Sequence, residues 1–183
     1  RIAIALNPTA NEVSIFDVLT GAVAHSITGL AGPDAVTFTN DFAYIHNLDA
    51  GRISLVGRAA LGGPSAPPVV QVEVGQDAPA AARAGALATP IVPAPEGKGV
   101  LIANPADKSL YFYVEGMMAP IGTLSNYGRE PRSVLVENRS FAEVRPGVYA
   151  TTVHLGAEGA YDVELLLDNP RRAACLEATV EPS

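Results

Sequence analysis

The side chains with the softest chemistry in this sequence are Met117 and Met118, its two methionines, set side by side in Glu115-Gly-Met-Met-Ala-Pro120. Adjacent thioethers are donors of the kind copper(I) selects, and Cys175 or His154 would complete such a metal site. The competing reading, methionine as adaptable filler between packed elements, is the heavier of the two. The three histidines, His25, His46 and His154, are scattered and form neither an H-E-x-x-H motif nor an i, i+4 pair. His46, directly before Asn47, reads as a packed or hydrogen-bonded structural residue, and His154, opposite Val153 and Leu155 on a strand, as solvent-facing. Tyr111, Tyr113 and Tyr127 with Arg129 and Arg132 have the chemistry to recognise an anion or a partner, although strand-face packing and interdomain salt bridges account for them as well.

Other chemistries lack their residues. There is no G-x-S-x-G, and Cys175 has no histidine close by in sequence, so nucleophilic catalysis is unsupported. Gly29-Leu-Ala-Gly32 and the glycines from Gly57 to Gly63 fit neither G-x-G-x-x-G nor G-K-[ST], which removes the phosphate loops. The chain therefore reads as a non-enzyme more than an enzyme. It holds no catalytic residue, no cofactor site can be assigned to it, and Met117 and Met118 are the candidate metal ligands.

Composition narrows the partners. The 183 residues are 48% hydrophobic, ample for a packed core, and carry a formal charge of −7, which argues against nucleic acid. Arg129 with Arg132 and Arg171 with Arg172 are basic clusters too small to reverse that. No apolar run approaches the roughly 20 residues that span a bilayer. A single cysteine excludes an intrachain disulfide framework and a Cys-rich zinc site.

The elements that must position these residues come from a repeat. An apolar run ends in Asn, a polar turn follows, and a second apolar run opens six residues after the Asn: Asn7 then Val13, Asn47 then Ile53, Asn104 then Leu110. Alternation predicts strands at Ile2–Leu6, Val13–Phe16, Ala22–Thr28 and Ala35–Thr39, read as one four-stranded meander, before Phe42 begins the next copy. The 40 residues from Asn7 to Asn47 suit one four-stranded propeller blade. The second interval is longer, with an insertion around residues 57–98. Within it Val69–Val74 keeps a strand pattern, Thr89–Pro93 reads as a fourth strand, and Pro79–Leu87 as coil or a short helix. In the third copy Glu115–Pro120 and Thr123–Arg129 replace a normal third strand, and Arg129–Val136 parallels Gly32–Phe38. After residue 138 the pattern changes to Pro146-Gly147, Val148–Leu155, the alternating Tyr161–Leu167, and Leu176–Val180. These predict a small sandwich-like unit with one polar face per strand.

Asn7-Pro-Thr-Ala-Asn-Glu-Val-Ser-Ile-Phe-Asp-Val-Leu-Thr-Gly21, followed by Gly32-Pro-Asp-Ala-Val36, resembles the YVTN-type β-propeller repeat. That family includes periplasmic binding and surface proteins and is similar to the propellers of haem-d1 and quinone-linked dehydrogenases. Pro146-Gly-Val-Tyr-Ala-Thr-Thr-Val-His-Leu155 and the strand after it look like the small immunoglobulin-like domains of FixH or YtkA type, found in exported or membrane-associated bacterial proteins. The resemblances imply a periplasmic or extracellular location.

The expectation is an all-β chain: residues 1–138 form two to three four-stranded blades of a partial β-propeller, and residues 139–183 a small immunoglobulin-like, β-sandwich-like domain. Too few blades to close a ring implies completion by another polypeptide: a cleaved N-terminal part, a separate subunit, or self-association. The expected role is non-catalytic binding or scaffolding in a larger periplasmic or cell-surface assembly. The alternatives are a part of a haem- or quinone-linked redox enzyme, with the haem on a partner, and a copper-handling accessory.

Overall fold

Short runs of alternating β-branched and small residues, each closed by Asn and a four-residue turn, leave the backbone little choice but hairpins. The computed structural model describes residues 1–77, 88–137, 140–153, 157–168 and 170–181. The chain is all-β and forms a partial propeller, dividing into two compact units, Arg1–Glu137 and Asn138–Ser183. Pro79–Leu87, read as coil or helix, lies outside the described residues.

The first unit holds three antiparallel sheets. β1 (Ile2–Asn7), β2 (Glu12–Asp17) and β3 (Val23–Thr28) make the first. β4 (Pro33–Phe38), β5 (Phe42–Asn47), β6 (Arg52–Gly57) and β7 (Val69–Glu73) make the second. β8 (Ile91–Pro93), β9 (Gly99–Asn104), β10 (Ser109–Val114) and β11 (Gly122–Ser125) make the third.

This corrects the expected grouping of strands. β4 does not close a meander with β1, β2 and β3; it pairs with β5, in the register Val36 opposite Ile45. The reason is the relative length of two connections. Asn40-Asp41 is a tight hairpin turn, with Thr39 N donating to Phe42 O at 3.0 Å, so the strands on either side must pair. Gly29 and Gly32, at φ 77° and 65°, instead carry the chain out of the first sheet. Repeat and sheet are therefore out of phase by one strand, and the first sheet has three strands where the others have four. The third copy is also more regular than expected. The Met-Met loop ends where Ile121 N donates to Phe112 O at 2.8 Å, and β11 follows as an ordinary outer strand on β10.

The sheets stack face to face through two apolar layers. Val13, Ile15, Ile27 and Leu30 of the first copy meet Ala43, Ile45 and Val56 of the second, with Leu61 from the insertion filling the same layer. On the opposite face of the second sheet Tyr44, Ile53, Leu55 and Val72 meet Ile91, Val100, Ile102 and Tyr113. Because the second sheet is covered on both faces, β5 and β6 are buried almost without interruption, and the hydrophobic run Ile53-Ser-Leu-Val56 needs no polar face.

In the second unit β12 (Ala142–Arg145) pairs with β13 (Val148–Ala150), and β14 (Gly159–Leu167) with β15 (Arg172–Val180). Gly147, at φ 74°, makes the first turn, and its N donates to Glu143 Oε1 at 2.8 Å. Tyr161, Val163, Leu165 and Leu167 are half-buried and alternate with exposed residues, as period two requires. The described residues of this unit form two separate two-stranded ladders.

Candidate assembly interface

Asn104, the third of the repeated Asn residues explained at the sequence level by turn geometry, also joins sheets. Asn104 Oδ1 accepts from Asp107 N at 3.1 Å within its own turn. Its Nδ2 reaches to the connection leaving the second sheet, donating to Val74 O at 3.1 Å and Gln76 O at 3.0 Å. Asp107 Oδ2 completes the grip by accepting from Gln76 N at 2.9 Å and Tyr111 OH at 2.7 Å. One sheet earlier the same arrangement recurs in altered form: Leu48 N donates to Gly32 O at 2.8 Å, and Asp49 N to Ala31 O at 3.0 Å. In each case the turn of one sheet holds the segment arriving from the sheet before it.

At the first sheet no corresponding partner is found among the described residues. Asn7 Oδ1 accepts from Ala10 N at 3.1 Å, closing its own turn. β1 carries β2 along one edge, and its other edge, where β4 lies on β5 and β8 on β9, has no strand among the described residues. The effect on burial is direct. β1 is exposed or half-buried along its whole length, whereas β5 and β9 are nearly all buried. Arg1, Ile2, Ile4, Phe38, Arg58 and Leu61 line a groove of about 450 Å3 along it.

The other end of the arc has the converse feature. Pro131–Val136 runs alongside the start of β8, with Ala88 N donating to Arg132 O at 3.2 Å and Val134 N to Thr89 O at 2.8 Å. Thr89 and Ser133 form a parallel bridge. Val134 is 6% exposed and Leu135 86%. Arg129–Val136, expected to parallel Gly32–Phe38, thus makes a single bridge and no ladder among the described residues. The third sheet also leaves Leu101, Phe112 and Leu124 around an apolar hollow of about 350 Å3.

The residues singled out for chemistry fall in both units. Met118 is 97% exposed and Met117 is also exposed, and the Met117 carbonyl accepts from Tyr113 OH at 2.9 Å. Cys175 lies in the second unit and His154 outside the described residues. His46 is buried, with Nδ1 2.6 Å from Asp34 Oδ1, as expected of a structural histidine, and His25 Nε2 is bound to Gly63 O at 2.8 Å. The tyrosines and arginines do not converge: Tyr111 serves Asp107, Tyr127 is open to solvent, and Arg132 faces Glu130 at 3.7 Å. Among the described residues no three His, Cys, Asp or Glu side chains group as metal ligands, and no helix is long and apolar enough to cross a membrane.

One carboxylate does link sheets. Glu115 Oε1 accepts from Thr39 Oγ1 and from Tyr44 OH, the latter at 3.4 Å. Burial, and then the Glu115 charge, push Tyr44 and Tyr113 above the ordinary phenol range. Burial, and then the bond to Asp107, push Tyr111 up to about 12 from 10.0. The folded chain thus holds phenolic protons more tightly than the unfolded chain. Their contribution to stability is complete below pH 10.0 and is lost as pH rises towards about 12. Urea midpoints measured from pH 8 upward are expected to fall in this range, and Tyr111→Phe is expected to flatten part of the fall.

Stacked antiparallel sheets, each passing the chain to the inner edge of the next, define an arc of a β-propeller. Among the solved structures it is similar to, one is a β-propeller domain by name. Hydrazine synthase of Kuenenia stuttgartiensis matches with 18% identity and a TM-score of 0.55, over 72% of this chain and 34% of that one. The β-propeller domain of Cps50 (Swd1) from Myceliophteria thermophila matches with 14% identity and a TM-score of 0.52, over 72% and 39%. A putative 6-phosphogluconolactonase from Bacteroides fragilis matches with 12% identity and a TM-score of 0.53, over 99% and 52%. The chain thus spans from a third to a half of these structures, and identities this low establish the fold alone. No protein-family model matches the chain, and no curated protein does.

Proposed function

We propose that this chain is a non-catalytic component of a larger exported assembly, in which its arc of sheets is completed by polypeptide outside residues 1–183. The observation that carries the reading is the bare inner edge of β1, set against the occupied edges of β5 and β9. A strand whose equivalents are buried, with Ile2 and Ile4 on an open groove, is a template for strand addition. The β4–β5 register transfers to it. Pro33 stands opposite Asn47 and Val36 opposite Ile45, so an arriving inner strand places its corresponding residues opposite Asn7 and Ala5.

The test is amide hydrogen exchange on the 183-residue chain alone and on the same chain in material purified from its source. The amides of Ile2–Asn7 on that bare inner edge are expected to exchange fast in the isolated chain and to gain at least about tenfold protection in the assembly, while β5 and β9 are protected in both. Equal protection of β1 in the two samples overturns the proposal. An optical spectrum of the same material tests the non-catalytic part, since a co-purifying haem or quinone chromophore would place the chain in a redox enzyme.

A further inference from the structure

We infer that one water molecule is resident in the seam between the second and third sheets, bound to Asn47 Oδ1. Asn47 is 1% exposed, and its Oδ1 is the buried side-chain atom without a partner among the described residues. The orientation of the amide is fixed by its other end. Nδ2 donates to Arg52 O at 3.2 Å and to Ser54 Oγ at 3.0 Å, and a carbonyl can only accept, so Oδ1 must point the other way.

The repeat makes Asn47 an exception with a local cause. Asn7 Oδ1 and Asn104 Oδ1 each accept an amide of their own turn, from Ala10 and Asp107. In the β5–β6 turn the equivalent amide, Ala50 N, donates to the main-chain oxygen of Asn47 instead, at 3.3 Å. The side-chain oxygen is thereby left without a bond in its own turn, and Asn47 lines a cavity of about 20 Å3 bounded by both sheets and by the Val74–Gln76 connection.

The main-chain donors traced there are already engaged. Of the amides around the cavity, Leu48 N is bound to Gly32 O, Val74 N to Gly51 O and Ala103 N to Pro90 O. Gly51 N is bound to Asp77 Oδ1, and Gln76 N to Asp107 Oδ2. A buried acceptor left without a donor is costly, and the cavity exceeds the roughly 10–15 Å3 that one water needs. No carboxylate lines it, so its chemistry calls for a neutral donor, not a cation. His46, Gln76 and Asn104, on the same wall, supply the further polar atoms that a held water requires.

Two measurements decide it. Oxygen-17 magnetic relaxation dispersion on the intact chain counts long-lived waters, and Asn47→Leu is expected to remove one; an unchanged count in a folded variant overturns the inference. Should Asn47→Leu fail to fold, a crystal structure of the unaltered chain decides. A water peak within hydrogen-bond distance of Asn47 Oδ1 sustains the inference. No peak there, or a site that takes up rubidium on exchange, overturns it.

Discussion

Replacing Gly75 by alanine is expected to lower the stability of the first unit by about 2–4 kcal/mol, combining a disfavoured backbone with overpacking. Gly75 sits at φ 109°, a region that side chains rarely adopt. A Cβ built there would lie 2.0 Å from Asp107 Oδ2, 2.6 Å from Asn104 Nδ2 and 2.8 Å from Tyr111 OH. Those atoms are the grip of the third sheet on the chain leaving the second, so relief of the clash means breaking bonds to Val74, Gln76 and Asp107. Gly57→Ala is the internal control. Gly57 has φ −60°, and an added Cβ meets nothing within 4 Å. Its replacement should be neutral, or stabilising by up to about 1 kcal/mol through the unfolded chain. Urea denaturation of the two variants reads the difference, and equal midpoints would mean that the grip contributes nothing to holding the sheets together.

The second large effect is expected at Tyr44. Its ring is wholly buried, edge-on to Phe42 and Tyr113 with centroids 6.2 Å and 6.1 Å away, in the layer between the second and third sheets. Tyr44→Ala should cost about 3–5 kcal/mol, the range for emptying an aromatic site that cannot collapse. Tyr44→Phe should cost about 1 kcal/mol or less, because the hydroxyl's bond to Glu115 is long at 3.4 Å. Ile4 occupies the matching place on β1 but is only half-buried, and Ile4→Ala should cost about 1 kcal/mol in the isolated chain. If an inner strand covers β1 in the assembly, that cost rises towards the value for a filled core. Ile4→Ala therefore measures completion of the fold, and Tyr44→Ala measures the fold itself.

Much of the architecture was legible in the residues. The Asn-to-Asn spacing and the alternation in Ile2–Leu6 and Tyr161–Leu167 located strands that the structure contains, whereas Pro131–Val136, which resembles Pro33–Phe38, forms only the isolated bridge through Ser133. What spacing did not reveal was which strands pair. The segments Val23–Thr28 and Pro33–Phe38 look like neighbours in a meander, and the decision between a hairpin and a crossing lies in two positive-φ glycines and one two-residue turn. Their weight can be judged only against the sheet that receives the chain. The return of the chain through Gly122–Ser125 was hidden by the length of the Met-Met loop, since pairing with Phe112 is non-local. The bare edge of β1 was legible as an incompleteness, not as a set of residues. Asn104 and Asp107 act by reaching a segment about thirty positions away, beyond any local pattern.

The offset between repeat and sheet bears on how such a chain can change in length. Because each repeat ends in the strand that begins the next sheet, a duplication or deletion of one whole repeat hands its neighbour an inner strand of the same kind as before. Every junction keeps its Asn turn and its arriving segment, and no new contact surface has to arise. A ring built this way can gain or lose one sheet in a single genetic event, with selection acting only on the curvature needed to close it.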